Sequence, residues 1–361
     1  MNILYLTNLS GSLWNGPNNS VPAQIKAQSE LDNVFWFNYS HAKREEWTQI
    51  ARFQNLCDIS NPCLNSFPEP FNTPDIVVIE EFYDFPFNKL IKEIQKKNIP
   101  YVIIPRSQMT ALAQKQKFLK KKIGNILFFN KMVKRASAIE YLTENEKKDS
   151  ISQWKKNNFV IPNGILMPMV HEKNFSKGCI NATYIGRVDI YQKGLDILLE
   201  SISEIKKSLE EKRFSLTIYG PSQANDLNLL KRMVSRLQIN KFVQFKSAVF
   251  GEEKQKVLLS TDVFIMTSRF EGLPMGLIEA LSYGVPCFVT RGTNMAEEIN
   301  EADAGWIAEN NKKSVCESFL QMLAFNNYSS KGKKAYQLAK KYSWEEIAKR
   351  THDEYVNIIR Q

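Results

Sequence analysis

The stretch Val263-Phe264-Ile265-Met266-Thr267-Ser268-Arg269-Phe270-Glu271-Gly272-Leu273-Pro274-Met275-Gly276-Leu277-Ile278-Glu279-Ala280-Leu281-Ser282-Tyr283-Gly284-Val285-Pro286 reads as a strand, a turn and a helix in direct succession. Val263 to Met266 form a short apolar run of the kind that is covered on both faces of a parallel sheet. Gly272 permits a tight turn, and Pro274 suits the first turn of a helix, where its missing N–H is not needed. The helix is predicted to end at Tyr283, because Gly284 can take the left-handed cap and Pro286 blocks extension. Glu271 then sits on the loop at the carboxyl end of the strand, and Glu279 a little over one turn into the helix. The helix start aims unpaired N–H groups and a partial positive charge past the sheet edge, a natural diphosphate site.

The same alternation runs outward in both directions. Strand candidates are Asn2–Thr7, Val34–Asn38, Asp75–Glu80, Tyr101–Pro105 and Ala138–Leu142, then Asn181–Ile185, Ser215–Tyr219, Phe242–Phe245, Asp262–Thr267 and Pro286–Thr290. Helical patterns between them imply parallel sheets covered by helices. From Phe159 to Cys179 the turn residues Pro162, Asn163, Gly164, Pro168 and Gly178 interrupt the pattern, which reads as a linker. The predicted fold class is therefore α/β, with two Rossmann-like parallel-sheet domains, residues 1–165 and 166–342, facing across a ligand-binding cleft. Residues 343–361 read as a terminal helix, with Ser343 as its N-cap.

Composition narrows the function. Of 361 residues, 43% are hydrophobic and 24% charged, which excludes a disordered chain. No apolar run reaches the ~18 residues that span a bilayer, and Met1 to Thr7 lack the pattern of a secretory signal. Cys57, Cys63, Cys179, Cys287 and Cys316 are scattered, which predicts free thiols and a cytoplasmic setting rather than disulfides or a zinc cluster. The formal charge is +10, and between Gln114 and Arg135 there are eight basic residues and no acidic one. Such a field attracts phosphate on nucleic acid, lipid or nucleotide. Leu119, Ile123, Ile126 and Leu127 lie at helical spacing among those lysines. That pattern suits either peripheral contact of residues 115–135 with an anionic membrane or a solvated lysine face over an ordinary core. No nucleic-acid recognition motif accompanies the charge.

Glu271 and Glu279, eight apart, resemble the E-x(7)-E motif of family-4 retaining glycosyltransferases. The resemblance implies a GT-B fold and a nucleotide-diphosphate sugar, a UDP-sugar first among them, as co-substrate. It implies that Glu271 contacts the donor sugar and Glu279 the ribose, and that the turn Gly272, Leu273 and Pro274 approaches sugar and phosphate. Tyr184-Ile185-Gly186-Arg187-Val188-Asp189-Ile190-Tyr191-Gln192-Lys193-Gly194-Leu195-Asp196 resembles the family segment whose Arg and Lys bind the diphosphate, here Arg187 and Lys193. The physics agrees: fixed cations stabilise charge that grows on a departing diphosphate. Gly220 resembles the turn that lines the donor site, Val249 belongs to a stretch resembling the one whose backbone contacts the base, and Gly16 lies in a segment resembling the Gly-rich loop beside the phosphates, where Asn15 is an acceptor-side candidate.

The segments around Tyr101–Gln108 and Tyr141–Glu146 resemble the branch of the family that assembles bacterial capsule, exopolysaccharide and O-antigen. The acceptor implied is a saccharide hydroxyl, free or lipid-linked. Arg106 is an acceptor-side candidate there, or else a structural ion-pair partner. The terminal helix is expected to pack back on the first domain. No required metal is expected. The competing readings are a nucleotide-sugar epimerase on the same fold, a non-catalytic partner of a transferase, and a two-carboxylate glycosidase, which would leave Arg187 and Lys193 unexplained.

Overall fold

The computed structural model describes residues 1–12, 16–83, 89–115, 117–169, 173–221 and 224–361. The chain divides into two units, Met1–Gly164 with Trp344–Gln361, and Ile165–Ser343. Each is built on one parallel sheet.

The first sheet contains β1 (Asn2–Thr7), β2 (Asn33–Asn38), β3 (Arg52–Asn55), β4 (Ile76–Glu80), β5 (Tyr101–Ile104), β6 (Ala138–Tyr141) and β7 (Asn158–Val160). Their order is β3-β2-β1-β4-β5-β6-β7. The second contains β8 (Ile180–Ile185), β9 (Phe214–Tyr219), β10 (Val243–Lys246), β11 (Val263–Met266), β12 (Cys287–Thr290) and β13 (Gly305–Ala308), in the order β10-β9-β8-β11-β12-β13. Both orders reverse direction beside the first strand of the unit, so each sheet has a switch point, between β1 and β4 and between β8 and β11.

Alternation builds the cores. On the first sheet Leu4, Leu6, Val77 and Ile79 pack on one face, and Ile3, Tyr5, Ile76 and Val78 on the other. On the second, Val263 and Ile265 face one cluster while Phe264 and Met266 face the other.

Three strands were not expected, and all lie at sheet edges. β3 has one apolar residue, Phe53, among Arg52, Gln54 and Asn55, so it carries no apolar run although only Arg52 is exposed. β7 takes in Phe159 and Val160, which the sequence reading assigned to the linker; they pair with β6 instead. β13 opens on Gly305, where a Cβ would stand 1.8 Å from the Cys287 carbonyl oxygen. The terminal helix Trp344–Ile359 belongs to the first unit, where Trp344 lies so close to Gly164 that a Cβ there would be 2.5 Å from the indole.

Candidate active site

In the second unit the switch point gathers three loops. The loop after β8 runs from Gly186 to Gly194, and the loop after β11 from Thr267 to Pro274. Gly220 follows β9 so closely that a Cβ on it would stand 1.7 Å from the Gly186 carbonyl oxygen. Gly194 adopts a left-handed φ of +61°, and a Cβ there would meet the Thr267 carbonyl oxygen at 2.0 Å. These two positions require glycine because backbone passes against backbone.

Lys193 and Glu271 come together: the ammonium is 2.5 Å from Oε1, and both side chains are mostly buried. Ser268 Oγ donates to the same oxygen at 2.6 Å. The two loops are braced beneath this pair. Arg269 forms a two-pronged contact with Asp196, 2.8 Å on each arm, and its Nη1 also donates to the Tyr191 carbonyl at 2.8 Å. Thr267 Oγ1 donates to the Gly194 carbonyl at 3.1 Å. Arg187 stays on the exposed rim, where its guanidinium donates to Gln192 Oε1 at 2.5 Å. Below it, Tyr184 donates to the Arg187 carbonyl at 2.7 Å, and burial pushes that phenol well up from its ordinary range.

The helix Met275–Ser282 starts at Pro274 without a side-chain cap and ends before Gly284, whose φ is +67°. Its first turn lies against the end of β8, since a Cβ on Gly276 would stand 2.9 Å from the Ile185 carbonyl oxygen. Leu277, Ile278, Ala280 and Leu281 are fully buried while Glu279 keeps a third of its side chain exposed. Its carboxylate pairs with Lys254 on the helix Gly251–Ser260, a residue that no motif had marked. Leu273 is half-buried and Pro274 buried. Gly272 has no positive φ and open space beside its Cα, so the turn itself does not demand glycine; what its missing side chain provides is room.

The Val249 side chain lies in the core cluster with Leu258 and Ile165, so the expected contact to a base falls to its backbone. One expected contact is corrected. Arg106 is not presented to an acceptor. It follows β5 with φ of +46°, its side chain is 4% exposed, and Nε stands 2.7 Å from Glu80 Oε2. Nη2 donates to Gln24 Oε1 at 2.8 Å, and Nη1 to Asn163 and Ser20 at 3.2 and 3.3 Å. Protein groups occupy its donors, so it is an ion-pair partner inside the first unit.

Gly16 caps the helix Pro17–Ser29 at the carboxyl side of β1, with open space around its Cα. Arg44 braces this loop, donating to the Gly11 and Asn18 carbonyls at 3.0 and 3.1 Å. Asn15 lies outside the described residues. Among the described residues no three His, Cys, Asp or Glu side chains gather as a metal-holding group, and no helix is long and apolar enough to cross a membrane.

Comparison with known proteins follows the same division. Residues 171–341 match the family of glycosyl transferases group 1. An uncharacterized glycosyltransferase of Methanocaldococcus jannaschii is 28% identical over 176 residues, 48% of this chain and 43% of that protein. The amylovoran biosynthesis glycosyltransferase AmsD of Erwinia amylovora is 27% identical over 231 residues, 60% of this chain and 62% of its own. The chain thus spans less than two thirds of the length of these relatives. Among solved structures, the lipopolysaccharide outer core galactosyltransferase WaaB in its apo form superposes with a TM-score of 0.65 at 15% identity, covering 99% of each chain. That likeness carries the fold, two Rossmann-like parallel sheets of the GT-B type. The family match lies within the second unit, from residue 171 to 341, and the similar proteins include an enzyme of polysaccharide biosynthesis.

Proposed function

We propose that this protein is a retaining glycosyltransferase that moves a sugar from a nucleoside diphosphate donor to a saccharide hydroxyl during surface-polysaccharide assembly. The observation that carries the reading is the Lys193–Glu271 pair at the switch point of the second sheet. A buried ammonium beside the open amino end of the helix Met275–Ser282 suits a diphosphate. The paired carboxylate suits sugar hydroxyls, and Glu279 suits the ribose.

In the reaction, the bond between the anomeric carbon and the β-phosphate oxygen breaks while the acceptor oxygen bonds to that carbon on the same face. The acceptor proton passes to the leaving phosphate oxygen, so no protein base or nucleophile is needed. Lys193, with Arg187 on the rim, meets the charge growing on the diphosphate, and the reaction is expected to proceed without a divalent cation.

The test is a screen of UDP-, GDP- and ADP-sugars with saccharide acceptors, followed by mass spectrometry and by anomeric analysis of the product. Transfer with retained configuration, persisting in chelator, supports the proposal. Conversion of the donor without acceptor would replace it with an epimerase. Failure of every nucleotide to bind by calorimetry would end it.

A further inference from the structure

The segment Leu112–Arg135 is built inside out. Residues 118–135 form one helical run: an α-helix at Phe118–Gly124, a wider π-turn at Asn125–Phe129, and an α-helix at Asn130–Arg135. In an ordinary surface helix the apolar stripe faces the core and the polar stripe faces water. Here the inward side chains of the first half are polar. Tyr83 Oη contacts Gln114 Oε1 and Asn125 Oδ1, each at 2.8 Å. Lys121 donates to the Ala113 carbonyl at 2.7 Å and lies over the Tyr83 ring. Apolar anchorage comes at the far end, where Phe129 packs on Phe82 and Tyr83 and Met132 and Val133 are buried.

The stripe the sequence periodicity marks points outward instead. Leu119 is 73% exposed, Ile126 69%, Ile123 60% and Leu127 59%. These are positions i, i+4, i+7 and i+8, one face of the run. Leu112 and Phe118 are exposed beside it. Around this apolar stripe Lys115, Lys117, Lys120, Lys122, Lys131, Lys134 and Arg135 are all exposed, and no acidic residue occurs between Gln114 and Arg135. The exposure of the stripe argues against a solvated lysine face over an ordinary core, because among the described residues these apolar side chains are turned away from any core.

An apolar stripe ringed by cations of one sign calls for an occupant with an apolar interior and an anionic surface. A second copy would bring the same positive field against this one, which costs energy rather than gaining it. We propose that residues 112–135 seat the protein on an anionic lipid surface. Leu119, Ile123, Ile126 and Leu127 enter the boundary between headgroups and acyl chains, and Lys117, Lys120, Lys122 and Lys131 meet lipid phosphates. The inward polar network fixes the helix orientation so that the stripe is displayed before any membrane is met. The inference stands apart from the sugar chemistry.

Sedimentation of the full chain with vesicles tests it. Phosphatidylcholine vesicles containing phosphatidylglycerol should carry the protein down, and phosphatidylcholine alone should not. Each surface cation contributes about fivefold, so the triple variant Lys117→Gln/Lys120→Gln/Lys122→Gln should lose about a hundredfold in partitioning. The variant Leu119→Ser/Ile123→Ser/Ile126→Ser should also release the vesicles, and the thermal melts of both should match the parent because these side chains lie in solvent. Equal sedimentation with both vesicle types, or full retention by either variant, would overturn the proposal. So would an unaltered chain that ignores anionic vesicles and instead forms a dimer abolished by the serine variant.

Discussion

Lys193 and Glu271 stand 2.5 Å apart although 78 residues separate them in the chain. The contact depends on β8 and β11 being neighbours in the sheet, which brings the loop after one against the loop after the other. Neither residue has that partner until the sheet forms.

Replacing Lys193 by alanine should lower kcat/KM for sugar transfer by two to three orders of magnitude, the scale of losing one preorganised donor at ~3–4 kcal/mol. Steady-state kinetics checks this. Glu271→Gln should retain nucleotide binding by calorimetry while losing transfer, because Lys193 and Arg187, the cations proposed to meet the diphosphate, remain.

Lys254 holds the Glu279 carboxylate without belonging to the loops of the site. Lys254→Ala should therefore weaken nucleotide binding several-fold with little change in kcat, and Lys254→Arg should restore it. A loss confined to kcat would show that the lysine serves the reaction and not the carboxylate proposed to meet the ribose.

Burial, and after it the charge of Glu80, raises the Glu140 carboxyl from 4.5 to about 8; its Oε2 accepts from Tyr355 of the terminal helix at 2.9 Å. An acid whose folded pKa lies above its unfolded one binds more protons when native, so its contribution to stability falls as pH rises from about 4.5 to about 8 and is level beyond. Glu140→Gln should flatten that decline, by a few kcal/mol at most. Urea melts across the window measure it, and a slope unchanged by the substitution would refute it.

Arg106→Met should destabilise the first unit by about 3–5 kcal/mol, because it strands the fully buried Glu80 carboxylate. The double variant Arg106→Met/Glu80→Met should recover much of the loss. Urea midpoints of the two chains decide it.

The chain by itself determined the alternation of strands and helices, the central strands of both sheets, and the turn and caps around Met275–Ser282. Those features are local: a central parallel strand is a continuous apolar run, and a helix start or stop is a matter of two or three neighbours. The edge strands β3, β7 and β13 escaped because each is only three or four residues long, and Arg52–Asn55 has a single apolar residue and so carries no apolar run. Long-range packing, in contrast, is what gives Arg106 to Glu80, Gln24 and Asn163, brings Lys254 to Glu279, and turns Leu119, Ile123, Ile126 and Leu127 outward. Periodicity states that one helix face is apolar; which way that face points is set by what packs beneath it, here the hydroxyl of Tyr83 and its amide partners.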